Sequence, residues 1–129
     1  MKKNILLVDD NPADLEFTCY VLKSCEIEHE VFIGRDGEEA LHLLENEAAI
    51  DLVLLDLKLP KVDGFDVLAR AGADERLARI PVIVLSTSAL DSDVTRAAQL
   101  GAAGYIVKSI EFAEFRRALK AELSKHLVC

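Results

Sequence analysis

The sequence lacks the surplus of positive charge that binding to nucleic acid or to anionic lipid requires. Lysine and arginine number 15 against 23 aspartate and glutamate residues, which gives a formal net charge of −8. Sequence-independent binding to these polyanions depends on basic groups that displace counterions. We therefore expect neither a nucleic-acid partner nor a membrane partner.

Long apolar runs are also missing. No stretch approaches the roughly 20 residues that span a bilayer. The N-terminal segment has a basic end, but only the four apolar residues Ile5 to Val8 precede two acids, so it is no signal peptide. These absences predict a cytoplasmic protein. The 129 residues have room for one domain, 1–129, with a full hydrophobic core.

Cysteine pairs with metal-type or redox-type spacing do not occur. Cys19, Cys25 and Cys129 are odd in number and form no Cys-x-x-Cys or Cys-His motif, which predicts reduced thiols in a cytosolic protein. The three histidines are isolated and are interpreted as ordinary surface or core residues. Glycine-rich phosphate-binding loops are missing too, and the acidic pair Asp9-Asp10 would repel a flavin phosphate. Nucleotide and flavin cofactors are therefore disfavoured.

What the sequence does have is a central apolar stretch that ends in a carboxylate. Leu52 to Leu55 are consecutive apolar residues, and Asp56 follows them directly. Such a run predicts a strand buried on both faces, as in a parallel sheet. Pro60 and the Asp63-Gly64 pair then mark a loop. Asp56 is therefore expected at the tip of a central strand.

Strand and helix patterns alternate five times along the chain. Asn11 and Pro12 are typical of a helix N-cap and first helical residue. The fourth helix has a small inner face of Val94, Ala97 and Ala98. The alternation predicts a doubly wound α/β domain with a parallel sheet covered on both faces. The predicted strands are 5–8, 29–33, 52–56, 80–85 and 105–107, and the predicted helices are 12–24, 37–47 with Asp36 as its cap, 64–73, 91–100 and 111–127.

Polar residues collect where the predicted strands end. In a doubly wound sheet, chemistry takes place beyond the carboxyl ends of the strands, so these residues should converge on one edge. Crowded carboxylates repel one another unless a lysine and a divalent cation neutralise them. All-oxygen ligands favour Mg²⁺, Mn²⁺ or Ca²⁺, and a magnesium site suits phosphoryl transfer to a carboxylate. The converging residues are Asp9, Asp10, Asp56, Ser86, Thr87 and Lys108.

On these residues the sequence resembles the receiver domains of two-component response regulators, of the chemotaxis-receiver type, over essentially its whole length. Ser86 and Lys108 lie 30 and 52 residues beyond Asp56, spacings typical of the family, and the Leu100 to Tyr105 stretch is typical as well. The resemblance implies a flavodoxin-like (βα)5 fold with a five-stranded parallel sheet of order 2-1-3-4-5.

The resemblance also implies a mechanism. A sensor histidine kinase or histidine phosphotransfer protein would present phosphohistidine, and the receiver would catalyse transfer to Asp56 with Mg²⁺ or Mn²⁺ bound. Asp10, Asp56 and the backbone carbonyl of Lys58 would hold the metal, with Asp9 acting mainly through water. It would be no enzyme beyond its own phosphorylation and dephosphorylation.

In that mechanism, Ser86 would move to bond the phosphoryl group, Tyr105 would turn inward and Lys108 would bridge to the phosphate. The face built from the fourth helix, fifth strand and fifth helix would then change its affinity for a partner.

Two positions depart from the family pattern. Ser109 follows Lys108 where the family usually has a proline after a cis bond. Either the bond is trans and Lys108 is placed differently, or the fold bears a cost of about 3–4 kcal/mol. Thr87 is bulkier than usual beside Ser86 and narrows access to Asp56. Together with Lys58, Thr87 is expected to set the dephosphorylation rate.

No output domain follows Leu127, so we expect a stand-alone receiver. The Asp10 to Leu15 run and the Leu59-Pro60-Lys61 turn are similar to those of small single-domain regulators paired with phytochrome-type or hybrid kinases. The late apolar residues Ile110, Leu127 and Val128 are compatible with a homodimer through the last helix, or with simple core and end residues.

Two other functions remain open. A phosphatase of the haloacid dehalogenase type also uses aspartate, a hydroxyl and lysine, but its Asp-x-Asp nucleophile would follow the first strand and a cap would enclose the substrate. A phosphate-independent, receiver-like interaction module is motivated by Ser109.

Overall fold

The computed structural model describes residues 2–46 and 49–127. Strands and helices alternate throughout, with one 3₁₀ turn at Leu77–Arg79. Among the described residues, no helix is both long enough and apolar enough to cross a membrane. The strands are β1 Lys3–Val8, β2 His29–Gly34, β3 Leu52–Asp56, β4 Val82–Ser86 and β5 Gly104–Val107, and the helices are α1 Pro12–Ser24, α2 Gly37–Asn46, α3 Gly64–Ala73, α4 Asp91–Gln99 and α5 Phe112–His126.

The five strands form one parallel sheet in the order β2-β1-β3-β4-β5, so the predicted doubly wound fold and strand order are confirmed. The register aligns the strand ends: Asp56 lies beside Leu85, and Ser86 lies beside Val107. Every residue of β3 and β4 is buried, as expected for central strands covered on both faces. The carboxyl ends of β1, β3, β4 and β5 therefore share one edge.

Helices cover the two faces of the sheet in separate sets. Alternate strand residues point to opposite faces, so Leu7 packs with residues of α1 and α5, whereas Leu6 packs with residues of α2, α3 and α4. The α4 contribution is small, because Ala97 is its only fully buried residue and Ala98 is exposed, contrary to the prediction.

Side-chain caps determine where the helices beside the strand ends begin. Asn11 Oδ1 accepts hydrogen bonds from the backbone N–H groups of Ala13 and Asp14 at 2.9 and 3.3 Å, which confirms the predicted N-cap. Asp63 caps α3 in the same way, through Phe65 N–H at 2.7 Å. These caps satisfy N–H groups that have no partner within the helix. The loops after β1 and β3 are consequently short and tied down.

Most predicted boundaries agree with the structure, and those of α1, β3 and α3 coincide. The fourth strand was predicted from Ile80 but begins at Val82. Ile80 instead closes the 3₁₀ turn by donating to the Leu77 carbonyl, and Pro81 has no N–H for the ladder. The predicted end of the second helix at Glu47 lies outside the described residues, as do Val128 and Cys129.

Candidate functional site

Three carboxylates meet at the carboxyl edge of the central strands. Asp9 follows β1 directly and is buried, Asp10 beside it is exposed, and Asp56 ends β3 and is buried. One oxygen from each lies within 4.8 Å of the others. An all-oxygen set at this separation fits a hard divalent cation such as Mg²⁺. The convergence expected from the strand ends is therefore present.

Lys108 places its ammonium group among these carboxylates. The backbone N–H of Lys108 donates to the Ser86 carbonyl at 2.7 Å, which holds the backbone of Lys108 beside the end of β4. Its Nζ then donates to Asp9 Oδ2 at 3.0 Å and to Asp56 Oδ2 at 3.1 Å. The Lys108–Ser109 peptide bond is trans. Serine at position 109 is thus compatible with an ammonium in contact with Asp56.

Asp14 makes a third contact with Lys108 that was not predicted. Its Oδ2 lies 3.1 Å from Lys108 Nζ. Asp14 is the third residue of α1, and its side chain is 44% exposed. One sequence signal indicates where Asp14 lies, although not the contact itself: an acid in the first turn of a helix that begins shortly after a strand lies near that strand's carboxyl end.

Burial and charge act in opposite directions on the ionisation of the two central groups. Burial raises the pKa of Asp56, and the charge of Lys108 together with the Lys58 N–H bond only partly offsets this effect. Burial alone would lower the pKa of Lys108, but the hydrogen bond to Asp9 and the charges of Asp56 and Asp9 raise it above its usual value. Lys108 is therefore a permanent cation at this site.

Ser86 and Tyr105 are joined through Ser88. Ser86 Oγ accepts a hydrogen bond from the Ser88 N–H at 3.1 Å, and Tyr105 Oη donates to the Ser88 carbonyl at 2.9 Å. Ser88 Oγ in turn donates to Asp93 Oδ2 at 2.6 Å, in the first turn of α4. The loop after β4 is thus connected by side chains to β5 and to α4.

Lys58 and Thr87 come after the ends of the neighbouring strands β3 and β4, and both residues are exposed. The Lys58 N–H donates to Asp56 Oδ1 at 3.1 Å. Thr87 lines a pocket of about 150 Å³ together with Asp14 and Lys108. Both side chains are free to face a group that approaches Asp56.

The two cysteines within the described residues, Cys19 and Cys25, take no part in this site. Cys25 is buried and Cys19 half-buried, both as free thiols, and burial raises the pKa of each. A raised thiol pKa keeps the group protonated and unreactive.

Comparison with known proteins decides the family. The model of the response regulator receiver domain matches residues 5–120. The chain belongs to the response regulator receiver domain family. Among curated proteins, the response regulator Rcp1 of Synechocystis sp. is 44% identical over 113 residues, which cover 83% of this chain and 77% of Rcp1. The polar-differentiation response regulator DivK of Brucella ovis is 33% identical over 123 residues, covering 95% and 98%.

Solved structures of response regulators superpose on almost the whole chain. The phosphorylated cyanobacterial phytochrome response regulator RcpA is 39% identical with a TM-score of 0.89, and the match covers 99% of this chain and 96% of RcpA. The Mn²⁺-bound form of Rcp1 is 40% identical with a TM-score of 0.83, covering 95% and 92%. Receiver domain response regulators act in two-component signalling, and this receiver is close to those of the phytochrome response regulators.

Proposed function

We propose that this receiver accepts a phosphoryl group on Asp56 from a sensor histidine kinase or a histidine phosphotransfer protein. The observation that carries the proposal is the Lys108 ammonium, 3.0 Å from Asp9 and 3.1 Å from Asp56, beside three carboxylate oxygens within 4.8 Å of one another. Such a site combines a carboxylate nucleophile with a fixed positive charge, which is what aspartyl phosphate formation needs.

The transfer itself is a substitution at phosphorus. An oxygen of ionised Asp56 attacks the phosphoryl group, the P–N bond to the donor histidine breaks, and its electron pair remains on the imidazole nitrogen. Lys108 neutralises charge on the phosphoryl oxygens. Mg²⁺ or Mn²⁺ supplies a second positive charge there, and Asp10, Asp56 and the Lys58 backbone carbonyl are the proposed ligands, with Asp9 acting mainly through water. Two relatives support a divalent metal ion at this site: one solved structure is Rcp1 with Mn²⁺, and another is the receiver domain of the sensor histidine kinase PA1611 with magnesium.

The switch proposed for the phosphorylated state starts at Ser86. When its hydroxyl turns to the phosphoryl group, it gives up the bond it accepts from the Ser88 N–H. The Ser88 carbonyl also holds Tyr105 Oη, so movement of this loop frees Tyr105 to turn inward. Because α4 buries little, the face formed by α4, β5 and α5 can readjust and change its affinity for a partner.

We also propose a homodimer through α5, with a contact surface that includes Ile110 but not Leu127. Ile110, just before α5, is almost completely exposed and is available for contact. Leu127 packs in the core, so it does not belong to such a surface. We further propose that residues 1–129 act as one receiver domain in the cytoplasm, where a kinase can be charged from ATP.

Phosphorylation of Asp56 is tested by mass spectrometry after incubation with acetyl phosphate and Mg²⁺. We expect a mass gain of one phosphoryl group in the native chain and none in Asp56→Asn. An unmodified native chain, together with unchanged NMR spectra on addition of beryllofluoride and Mg²⁺, would leave only the phosphate-independent interaction module. Steady hydrolysis of p-nitrophenyl phosphate would instead favour the phosphatase, although Asp56 ends the third strand rather than the first.

Lys58 and Thr87 are proposed to set the lifetime of the phosphoryl group. Both residues are exposed and come just after the strands that carry Asp56 and Ser86, so we expect their side chains to affect the approach of a water molecule to the phosphoryl group. We expect the dephosphorylation rate to change in Lys58→Ala and in Thr87→Ala. If the doubly substituted chain loses phosphate at the native rate, these residues do not tune it.

A further inference from the structure

We propose that Asp14 is a positioning residue that competes with the phosphoryl group for Lys108 and so weakens the phosphorylated form. The inference rests on the function proposed above. It is carried by the 3.1 Å contact between Asp14 Oδ2 and Lys108 Nζ. Asp14 does not lie at the end of a strand and is not one of the proposed metal ligands, so the proposed phosphoryl transfer does not explain this contact.

The ammonium group of Lys108 has no spare donor in this structure. A lysine ammonium carries three N–H groups. They are directed at Asp9, Asp14 and Asp56, with Nζ to oxygen distances of 3.0, 3.1 and 3.1 Å. A phosphoryl oxygen can therefore bond to Lys108 only if one of these carboxylates gives up its place.

Burial determines which carboxylate gives way. The side chains of Asp9 and Asp56 are 3% and 12% exposed, whereas that of Asp14 is 44% exposed. A buried carboxylate that loses its cation has no water to replace it, while an exposed one is rehydrated at little cost. Phosphorylation removes the charge of the Asp56 carboxylate and places phosphoryl oxygens beside Lys108, so Asp9 and Asp14 are the carboxylates that still compete with those oxygens for the ammonium. Asp14 is thus the partner that Lys108 exchanges for the phosphoryl oxygen.

The exchange has a definite sign. The Lys108–Asp14 bond stabilises the unphosphorylated form and is lost in the phosphorylated one, and the Asp14 charge repels the incoming anion. Removing the Asp14 charge should therefore favour the phosphorylated form. The free energy that a half-exposed ion pair contributes corresponds to a change of about two- to fivefold in the affinity for a phosphoryl analogue.

Asp14 also has a structural explanation, since an acid in the first turn stabilises a helix through its dipole. That contribution would be the same with and without a phosphoryl group. It would alter the stability of α1, but it would leave the affinity for a phosphoryl analogue unchanged. The two explanations therefore differ in a measurable quantity.

The test compares beryllofluoride affinity at saturating Mg²⁺ by NMR titration of the full chain. Asp14→Asn should bind about two- to fivefold more tightly than the native chain. Glu16→Gln is the matched control, because Glu16 is an exposed acid on the same helix, and its affinity should stay at the native value. The Lys108 ammonium signal gives a second measurement: it should differ between native and Asp14→Asn chains without ligand and coincide once beryllofluoride is bound.

The outcomes separate this inference from the function on which it rests. A native chain that fails to bind beryllofluoride with Mg²⁺ overturns both. A native chain that binds, with Asp14→Asn binding equally or more weakly, overturns the role of Asp14 alone. An equal gain in Glu16→Gln also overturns it, since the effect would then reflect net charge rather than the contact with Lys108.

Discussion

Asp56→Asn should stabilise the protein in the absence of metal. The carboxylate of Asp56 is 12% exposed, and its Oδ2 lies 3.1 Å from Lys108 Nζ. At an effective dielectric constant near 20, that attraction amounts to about 5 kcal/mol. Repulsion from Asp9, whose oxygen lies within 4.8 Å, offsets at least about 3.5 kcal/mol of it, and exposed Asp10 adds a smaller, screened repulsion. The charges nearly cancel, so burial decides the sign, consistent with the raised pKa of Asp56.

Replacing Asp56 by asparagine preserves the shape of the side chain and leaves Lys108 hydrogen-bonded to Asp9 and Asp14. We expect a gain of about 2 kcal/mol in unfolding free energy at pH 7, or a rise of roughly 5–10 °C in Tm. The assay is calorimetry with a chelator present. Asp66→Asn, the same change at an exposed position of α3, should produce no rise.

The gain should depend on pH in one direction. Because the pKa of Asp56 is raised by folding, its favourable contribution is fully present below the unfolded pKa of about 3.9 and is lost as pH rises through the folded value. The advantage of Asp56→Asn should thus vanish near pH 4 and grow toward neutrality. A Tm in Asp56→Asn that is unchanged or lower at pH 7 would refute the claim that burial outweighs Lys108.

Three further expectations follow from the site and the loops around it. Lys108→Met leaves the buried carboxylates of Asp9 and Asp56 without a cation, so it should lower the unfolding free energy by about 3 kcal/mol. Urea titrations with a chelator present measure this loss, and Lys58→Met, at an exposed position, should change the unfolding free energy little. Mg²⁺ should bind more weakly in calorimetric titrations as pH falls from neutrality, because protons compete for Asp56, whose pKa is raised; an affinity independent of pH would contradict this raised pKa. Gly37→Ala should destabilise the chain by about 2 kcal/mol or more, because its Cβ would lie 2.0 Å from the Val62 carbonyl oxygen; an unchanged Tm would show that this contact relaxes freely.

The sheet and most of the site could be predicted because both follow from short-range patterns. Buried runs mark parallel strands, and the residue after each run must lie at the carboxyl edge, which brings Asp9, Asp56 and Lys108 together without knowledge of any distance. The predicted cap Asn11 likewise marks where α1 begins, and the Asp63-Gly64 pair marks the loop before α3.

The contact of Asp14 with Lys108 could not be predicted in the same way. It depends on how α1 is rotated about its axis and on how far two flexible side chains extend, and neither is encoded in periodicity. Ala98 was misjudged for a related reason, and Leu127, for which a dimer surface and the core were both open, lies in the core. Apolar character shows that a residue can be buried, but the packing of α4 and the end of α5 against the sheet determines whether it is.

The two loops that border Asp56 are held by different kinds of contact. Gly64 lies so close to the chain at Asp56 and Leu57 that a Cβ would sit 2.5 Å from their backbone atoms, and its N–H donates to the Leu57 carbonyl at 2.9 Å. The loop between β3 and α3 therefore has little room to move. The loop after β4 depends instead on hydrogen bonds that join Ser88 to the side chains of Ser86, Asp93 and Tyr105. Any strain that builds up at Asp56 is therefore released in one direction, toward α4 and β5.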